Sequence, residues 1–194
     1  MIGGGVGAAA GVTIASSQGQ TATSTSSPVK TPVASPTPTK SPTPVAQEEG
    51  TRTNPFAIGT TLTASSNGRE NWTVTVSSVS LNATDVILAE NPYNDVPPEG
   101  MQYGLVSIDA TYTGVDAGDP GNAIRMSFVS AEGRTYDEFD VSVVTPNALF
   151  GQNEIYAGTS TTGNIAVLIP STNAEQGVWA LSVDFGDPAF FAAQ

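Results

Sequence analysis

Asn71-Trp72-Thr73-Val74-Thr75-Val76-Ser77 sets an apolar side chain at every second position, with hydroxyls between. A period of two puts Trp72, Val74 and Val76 on one face of an extended chain, the pattern of a strand with one buried side. The alternation returns in Val106-Ser107-Ile108-Asp109-Ala110-Thr111-Tyr112 and in Ile124-Arg125-Met126-Ser127-Phe128. It returns once more in Trp179-Ala180-Leu181-Ser182-Val183-Asp184-Phe185. Ile165 to Ile169 is apolar throughout, which suits a strand covered on both sides. Turn residues separate the runs at Asn67-Gly68, Asp119-Pro120-Gly121-Asn122, Glu132-Gly133 and Glu175-Gln176-Gly177. No window carries an amphipathic helix. Strands are predicted at 58–64, 71–81, 84–90, 102–114, 123–130, 138–145, 153–158, 161–170 and 177–186, with one or two expected to fail. Strands without intervening helices imply antiparallel layers packed face to face. The expected architecture is an immunoglobulin-like antiparallel β-sandwich of seven to eight strands.

All seven Phe, both Trp and all five Tyr of the 194 residues follow Pro55. Residues 55–194 therefore read as the one folded domain, long enough to bury ~65–70% of the surface its unfolded chain exposes. Residues 18–54 read as a disordered Ser/Thr/Pro-rich linker. Between Thr21 and Pro44, twelve of twenty-four residues are Ser or Thr and six are Pro, which cannot bury enough surface to offset the entropy of ordering. Such a segment favours polyproline II and is a common site of O-glycosylation in exported proteins. Residues 1–17 hold an uncharged stretch of fourteen residues, Ile2 to Ala15, too short and too rich in Gly and Ala for a membrane span of ~20 residues. They read as the remnant of an export signal or anchor, with Thr13-Ile14-Ala15 as the cleavage signal; a flexible tail is the alternative. The first basic residue is Lys30, so the basic start of such a signal would lie upstream.

Six basic against eighteen acidic residues give a net charge of −12. A surface of that sign repels phosphate backbones and anionic headgroups, so neither nucleic acid nor an anionic membrane surface is expected as a partner. The chain has no Cys and no His. Disulfides, thiolate chemistry and the commonest general base and metal ligand are thereby excluded. No cofactor is expected, and a monomer is.

A Ser or Thr nucleophile would need a lysine base, and Lys30 and Lys40 both sit in the linker. Asp137, Glu138 and Asp140 are candidate paired carboxylates, but alternation puts at most two on one face, and a solvated acidic edge accounts for them better. Calcium accepts hard oxygen ligands, which makes Asp116, Asp119 and Asn122 around Pro120-Gly121 a weak candidate site. The competing reading is a turn whose Asp and Asn bond their own backbone. Trp72 and Trp179 fall in phase with the core. Tyr93, Asn94 and Asp95 lie in the polar, Pro-rich loop Asn91–Pro98, where binding residues tend to sit, and are the leading binding candidates. Phe190 and Phe191 either close the core at one end or form a partner-binding tip.

Further motifs follow in a definite order: Phe56-Ala57-Ile58-Gly59, the Trp72 strand, then Pro97-Pro98-x-Gly100-Met101-x-Tyr103. Thr111-Tyr112-Thr113-Gly114, Gly133-Arg134-x-Tyr136, Gly158, Gly163-Asn164-Ile165-Ala166-Val167-x-Ile169-Pro170 and Trp179-x-Leu181 complete it. In this order, from Pro55 to about Phe191, the chain resembles a family of Gram-positive, especially actinobacterial, extracellular domains of unknown function. Their fold is immunoglobulin-like, and the mycobacterial immunoprotective extracellular protein is similar in architecture. The resemblance implies an extracellular or envelope-associated protein and transfers no catalytic residue. Many members carry a lipid-bearing Cys before a Ser/Thr/Pro linker, which this chain lacks. The expected function is a non-catalytic, secreted or envelope-tethered module that binds a protein, a wall polymer or a small ligand through its loops. A structural spacer comes second and a carboxylate-dependent hydrolase third.

Overall fold

The computed structural model of the chain describes residues 48–66 and 68–194. The export-signal reading and most of the linker reading fall on residues 1–47, outside the described residues. Elements run in the order β1 (Thr61–Ser66), β2 (Arg69–Ser80), α1 (Thr84–Glu90), β3 (Met101–Tyr112), β4 (Ala117–Gly118), α2 (Pro120–Ala123) and β5 (Ile124–Val129). There follow β6 (Thr135–Asp137), a 3-10 turn (Glu138–Asp140), β7 (Ile155–Tyr156), β8 (Ser160–Pro170), a second 3-10 turn (Ala174–Gln176), β9 (Val178–Val183) and β10 (Ala189–Ala192). Two four-stranded antiparallel sheets, ordered β1-β2-β3-β8 and β10-β9-β5-β6, face each other. This is the expected β-sandwich.

The alternating runs supply its core. Trp72, Val74 and Val76 of β2 and Val106, Ile108 and Ala110 of β3 meet Ile124, Met126 and Phe128 of β5 and Trp179 and Leu181 of β9. Phe128 meets Trp179 edge to face at 5.0 Å, and Trp72 meets Tyr112 at 4.9 Å, the geometry that aromatic quadrupoles favour. The indole N–H of Trp179 donates to the Ala193 carbonyl at 3.3 Å, so its one polar atom is satisfied. Gly104 interrupts the apolar phase of β3 because a Cβ there would lie 2.6 Å from the Trp179 ring. A bulge between Val76 and Ser78 admits one extra residue and shifts the phase, so that Val79 rather than Ser78 pairs with Val106 and turns inward.

Three strand expectations are corrected. Residues 84–90 form the helix α1, with only Ile87 fully buried. The run Val86-Ile87-Leu88 has strand composition, yet it follows the end of β2 and covers the outer face of a sheet, where Ile87 packs on Tyr103 and Ala166. Residues 138–145 begin as a 3-10 turn, because the Asp137 and Asp140 carboxylates cap each other's backbone N–H groups. Val141 to Thr145 then continue extended but in no ladder. Val141 and Val143 join the Ile87 cluster, so their alternation records one-sided burial, not strand pairing. Only Ile155–Tyr156 of 153–158 is a strand. The chain also makes an unexpected last strand, β10, in which Phe191 enters the core against Phe56 at 5.7 Å. Gly50 to Asn54, which composition places in the linker, form a hydrogen-bonded turn, and Gly50 accepts from Phe190 N–H at 2.9 Å.

Candidate functional site

The loop 91–98 closes a small second core on the outer face of the β1-β2-β3-β8 sheet. Asn94 is buried there, and its side-chain amide donates to the Ile87 carbonyl at 2.7 Å and to the Val144 carbonyl at 2.8 Å. Its Oδ1 accepts from Val144 N–H at 2.8 Å. Asn94, nominated from the sequence as a binding residue, thus locks α1 to the strap Val141–Thr145. Asp95 offers its carbonyl to the Tyr103 hydroxyl at 2.8 Å, and burial first, then the Asp95 charge, raises that phenol above its ordinary range. Tyr93 is 90% exposed, and the Asp95 side chain is exposed as well, only its backbone carbonyl being engaged. The three nominated neighbours therefore do not converge on one site.

The turn nominated for calcium is committed to its own backbone. Asp119 caps α2, its carboxylate accepting from Asn122 N–H at 3.1 Å and from the Asn122 side-chain amide. Asp116 is exposed on the preceding bend, and no group of three metal-ligating side chains occurs among the described residues.

Around that turn, however, residues 113–123 cross one end of the sandwich and anchor a set of exposed apolar tips. Thr113 N–H donates to the Asn71 carbonyl, and the Asn71 amide in turn donates to the Asp184 carboxylate at 3.3 Å. Ala117 pairs with Tyr156. Gly121 packs against the Phe150 backbone so closely that a Cβ would approach it to 2.8 Å. The Ala123 carbonyl accepts from Asp184 N–H at 2.8 Å. Phe150 and Tyr156 are about 70% exposed, Val115 is exposed beside them, and Phe185 is 91% exposed. The alternation of β9 places Phe185 in the core; the structure turns it out. Asp184 and Phe185 have φ of 50° and 60°, and Gly186 N–H closes back to the Val183 carbonyl, so the strand ends in a tight turn. The string Asp184-Phe185-Gly186-Asp187-Pro188 carries the turn signal.

A second feature lies at the edge of the sandwich. Between the strap, the segment Ala148–Phe150 and strands β5 and β8 is a cavity of about 320 Å³. Glu138 lines it, with its side chain only 10% exposed. One carboxylate oxygen accepts from Met126 N–H at 3.0 Å; the other lies 3.6 Å from Arg125 Nε. Burial outweighs those two contacts, and the nearby Asp137 charge adds to it, raising the Glu138 carboxyl to about 7. The acidic trio is thus not one solvated edge: Asp137 and Asp140 are exposed capping residues, and Glu138 is buried away from them.

No protein-family model matches the chain, and no curated protein does. Among solved structures it is similar to an uncharacterized β-sandwich protein from Clostridium difficile, at 11% identity and TM-score 0.44 over 78% of this chain and 99% of that one. A conserved hypothetical protein from Bacillus anthracis is similar at 12% identity and TM-score 0.42, over 70% and 94%. A candidate lipoprotein from Bacillus subtilis matches at 14% identity and TM-score 0.39, over 61% of this chain and 33% of that one. Likenesses of this strength fix neither a ligand nor an activity.

Proposed function

We propose that this β-sandwich is a non-catalytic, envelope-tethered interaction module of the Gram-positive extracellular kind, and that it docks a protein partner through the end bearing Phe185. The observation that carries the reading is Phe185 itself. A Phe with φ of 60° sits in the left-handed region that bulky residues avoid, and it gains no burial there in return. Neither local propensity nor packing favours that arrangement, whereas a partner pocket would. Phe150, Tyr156 and Val115 extend the apolar area, and Asp116, Glu154, Asp184 and Asp187 lie in the same loops. The complementary surface is an apolar recess with a basic rim. Arg52 contacts the Ala131 carbonyl beyond the far end of β5, so the described chain enters the domain at the opposite end and leaves these tips unobstructed.

Co-sedimentation with Gram-positive wall sacculi, prepared with and without their surface proteins, tests the proposal. Binding should require the proteins, fall at least tenfold in Phe185→Asn and survive in Tyr93→Ala. Undiminished binding by Phe185→Asn would remove this end as the docking surface, and equal binding to stripped sacculi would replace a protein partner by a wall polymer.

A further inference from the structure

The cavity beside Glu138 shares Phe150 with the docking end proposed above, but its interior has a definite chemistry of its own. Its walls are mainly apolar, built from Ile124, Val141, Val143, Leu149 and Ile165, with Ser142, Thr145 and Asn164 as polar members. Phe139 and Phe150 line the same space and are both largely exposed, so they form its lips. At ~30 Å³ per water-sized group, the cavity of about 320 Å³ holds on the order of ten non-hydrogen atoms. One carboxylate enters this apolar space. The Glu138 oxygen that Met126 does not occupy is not sealed from solvent, and it lies 3.6 Å from Arg125 Nε. Arg125 does not neutralise it by a direct hydrogen bond. Its guanidinium donates to the Gly121 and Ile124 carbonyls and lies 5.1 Å from the centre of the Phe139 ring.

We propose that this cleft is a binding site for a compact apolar amine, a small free molecule with one ring or branched aliphatic body and one protonated nitrogen directed at Glu138. Three features select that class. The walls take up the apolar body. The carboxylate offers an unused acceptor to an ammonium N–H. The folded domain, with three basic residues against sixteen acidic ones from Pro55 onward, a net of −13, attracts cations and repels anions. A neutral ligand of the same shape would leave Arg125, 3.6 Å away, as the carboxylate's one counter-charge, and an anionic one would add a second negative charge to the site.

A bound ammonium favours the ionised carboxyl, so binding should strengthen as pH rises from 5.5 to 8 while the amine keeps its proton. The other charged groups facing Glu138 are Arg125 of β5 and Asp137 of β6, and β8 carries none.

Phenethylamine, 2-phenylethanol and 3-phenylpropionate make a matched set of probes for the full chain, followed by backbone amide shifts at Met126, Phe139 and Ala166. The amine should bind saturably at this cleft, at least tenfold tighter than the alcohol, and the acid should not bind. Its affinity should rise at least threefold from pH 5.5 to 8. Glu138→Gln keeps an acceptor for Met126 N–H and should reduce amine binding to the level of the alcohol. Ala148→Leu, which fills the cleft from a partly exposed position, should abolish both. Equal affinity for amine and alcohol, or a pH-independent affinity for the amine in the unaltered chain, would overturn the proposal. Amide shifts confined to the Phe185 end would do so as well.

Discussion

Phe185 and Phe191 stand six residues apart on one hairpin, and the fold treats them in opposite ways. Phe191 is fully buried, in tilted contact with Phe56 in the core; Phe185 is 91% exposed. Residue type cannot distinguish them. The backbone does: Phe191 lies in β10 opposite Trp179, where the pleat points it inward, and Phe185 occupies a left-handed turn position that throws it clear. Apolar alternation is therefore evidence of burial only as far as the ladder runs, and beyond the last pair the turn decides.

The comparison breaks most visibly at the closed end. Trp179→Ala or Phe191→Ala should cost ~3–5 kcal/mol, the usual loss for a fully buried aromatic, because each leaves a cavity among residues that cannot collapse. Urea titration followed by tryptophan fluorescence (circular dichroism for the Trp variant) measures it. A loss below ~1 kcal/mol for either would mean that the two sheets are not packed as described.

Next in size is the polar lock on the outer face. Asn94→Ala deletes two donors and one acceptor and leaves the Ile87 and Val144 groups without partners, so a loss of ~2–3 kcal/mol is expected. Tyr93→Ala, one residue away, should stay within ~0.5 kcal/mol, as exposed-loop changes do. Equal effects at the two positions would contradict the division of the loop into a buried lock and a free tip.

Asn94 also marks where reading the sequence stops working. Strands β2, β3, β5 and β9 are legible because each alternates residues about one apolar face, and β8 because its run Ile165–Ile169 is apolar throughout; neither pattern needs knowledge of partners. Asn94 carries no such signal. A polar residue beside Pro and Asp has loop composition whether or not it reaches a carbonyl fifty residues away, and the Val144 contact exists only once the strap has crossed β8. Helix α1 failed for a related reason. Its Val-Ile-Leu composition describes burial, and a helix buries Ile87 over Tyr103 as well as a strand would. Of the candidate site, only the fact that loops carry the exposed aromatics could be anticipated; which loops converge was set by anchors on residues 113–123.

Glu138 offers a test of intermediate size. Because burial holds its carboxyl at about 7 in the folded chain against 4.5 ordinarily, the folded state retains a proton that the unfolded chain has lost between those values. Glu138's contribution to stability is then full below pH 4.5, falls as pH rises through the window and is lost above 7. Glu138→Gln should remove the slope and gain ~1–2 kcal/mol at pH 8, with the difference vanishing at pH 4. Parallel stability curves for the two proteins across that range would show that the carboxylate is hydrated and the cleft is wet.

The smallest expected effect has the opposite sign to most substitutions, which is what makes it informative. Asp184 and Phe185 both hold positive φ in the two-residue turn after β9, a conformation that Asn and Gly adopt at little cost and a bulky side chain does not. Phe185→Gly should therefore stabilise the domain by ~0.5–1 kcal/mol, since the side chain it removes contributes no burial and the backbone strain is relieved. Phe185→Asn should gain less. The gain should be specific to this position: Phe150→Ala and Tyr156→Ala remove largely exposed rings from backbone without positive φ and should change stability by less than ~0.5 kcal/mol. Thermal unfolding of the four variants side by side separates the cases. If Phe185→Gly destabilises the domain, the ring must be packed on something in solution, and the contrast with Phe191 collapses. If it stabilises the domain while abolishing envelope binding, Phe185 is held in an unfavourable geometry that only a partner can use.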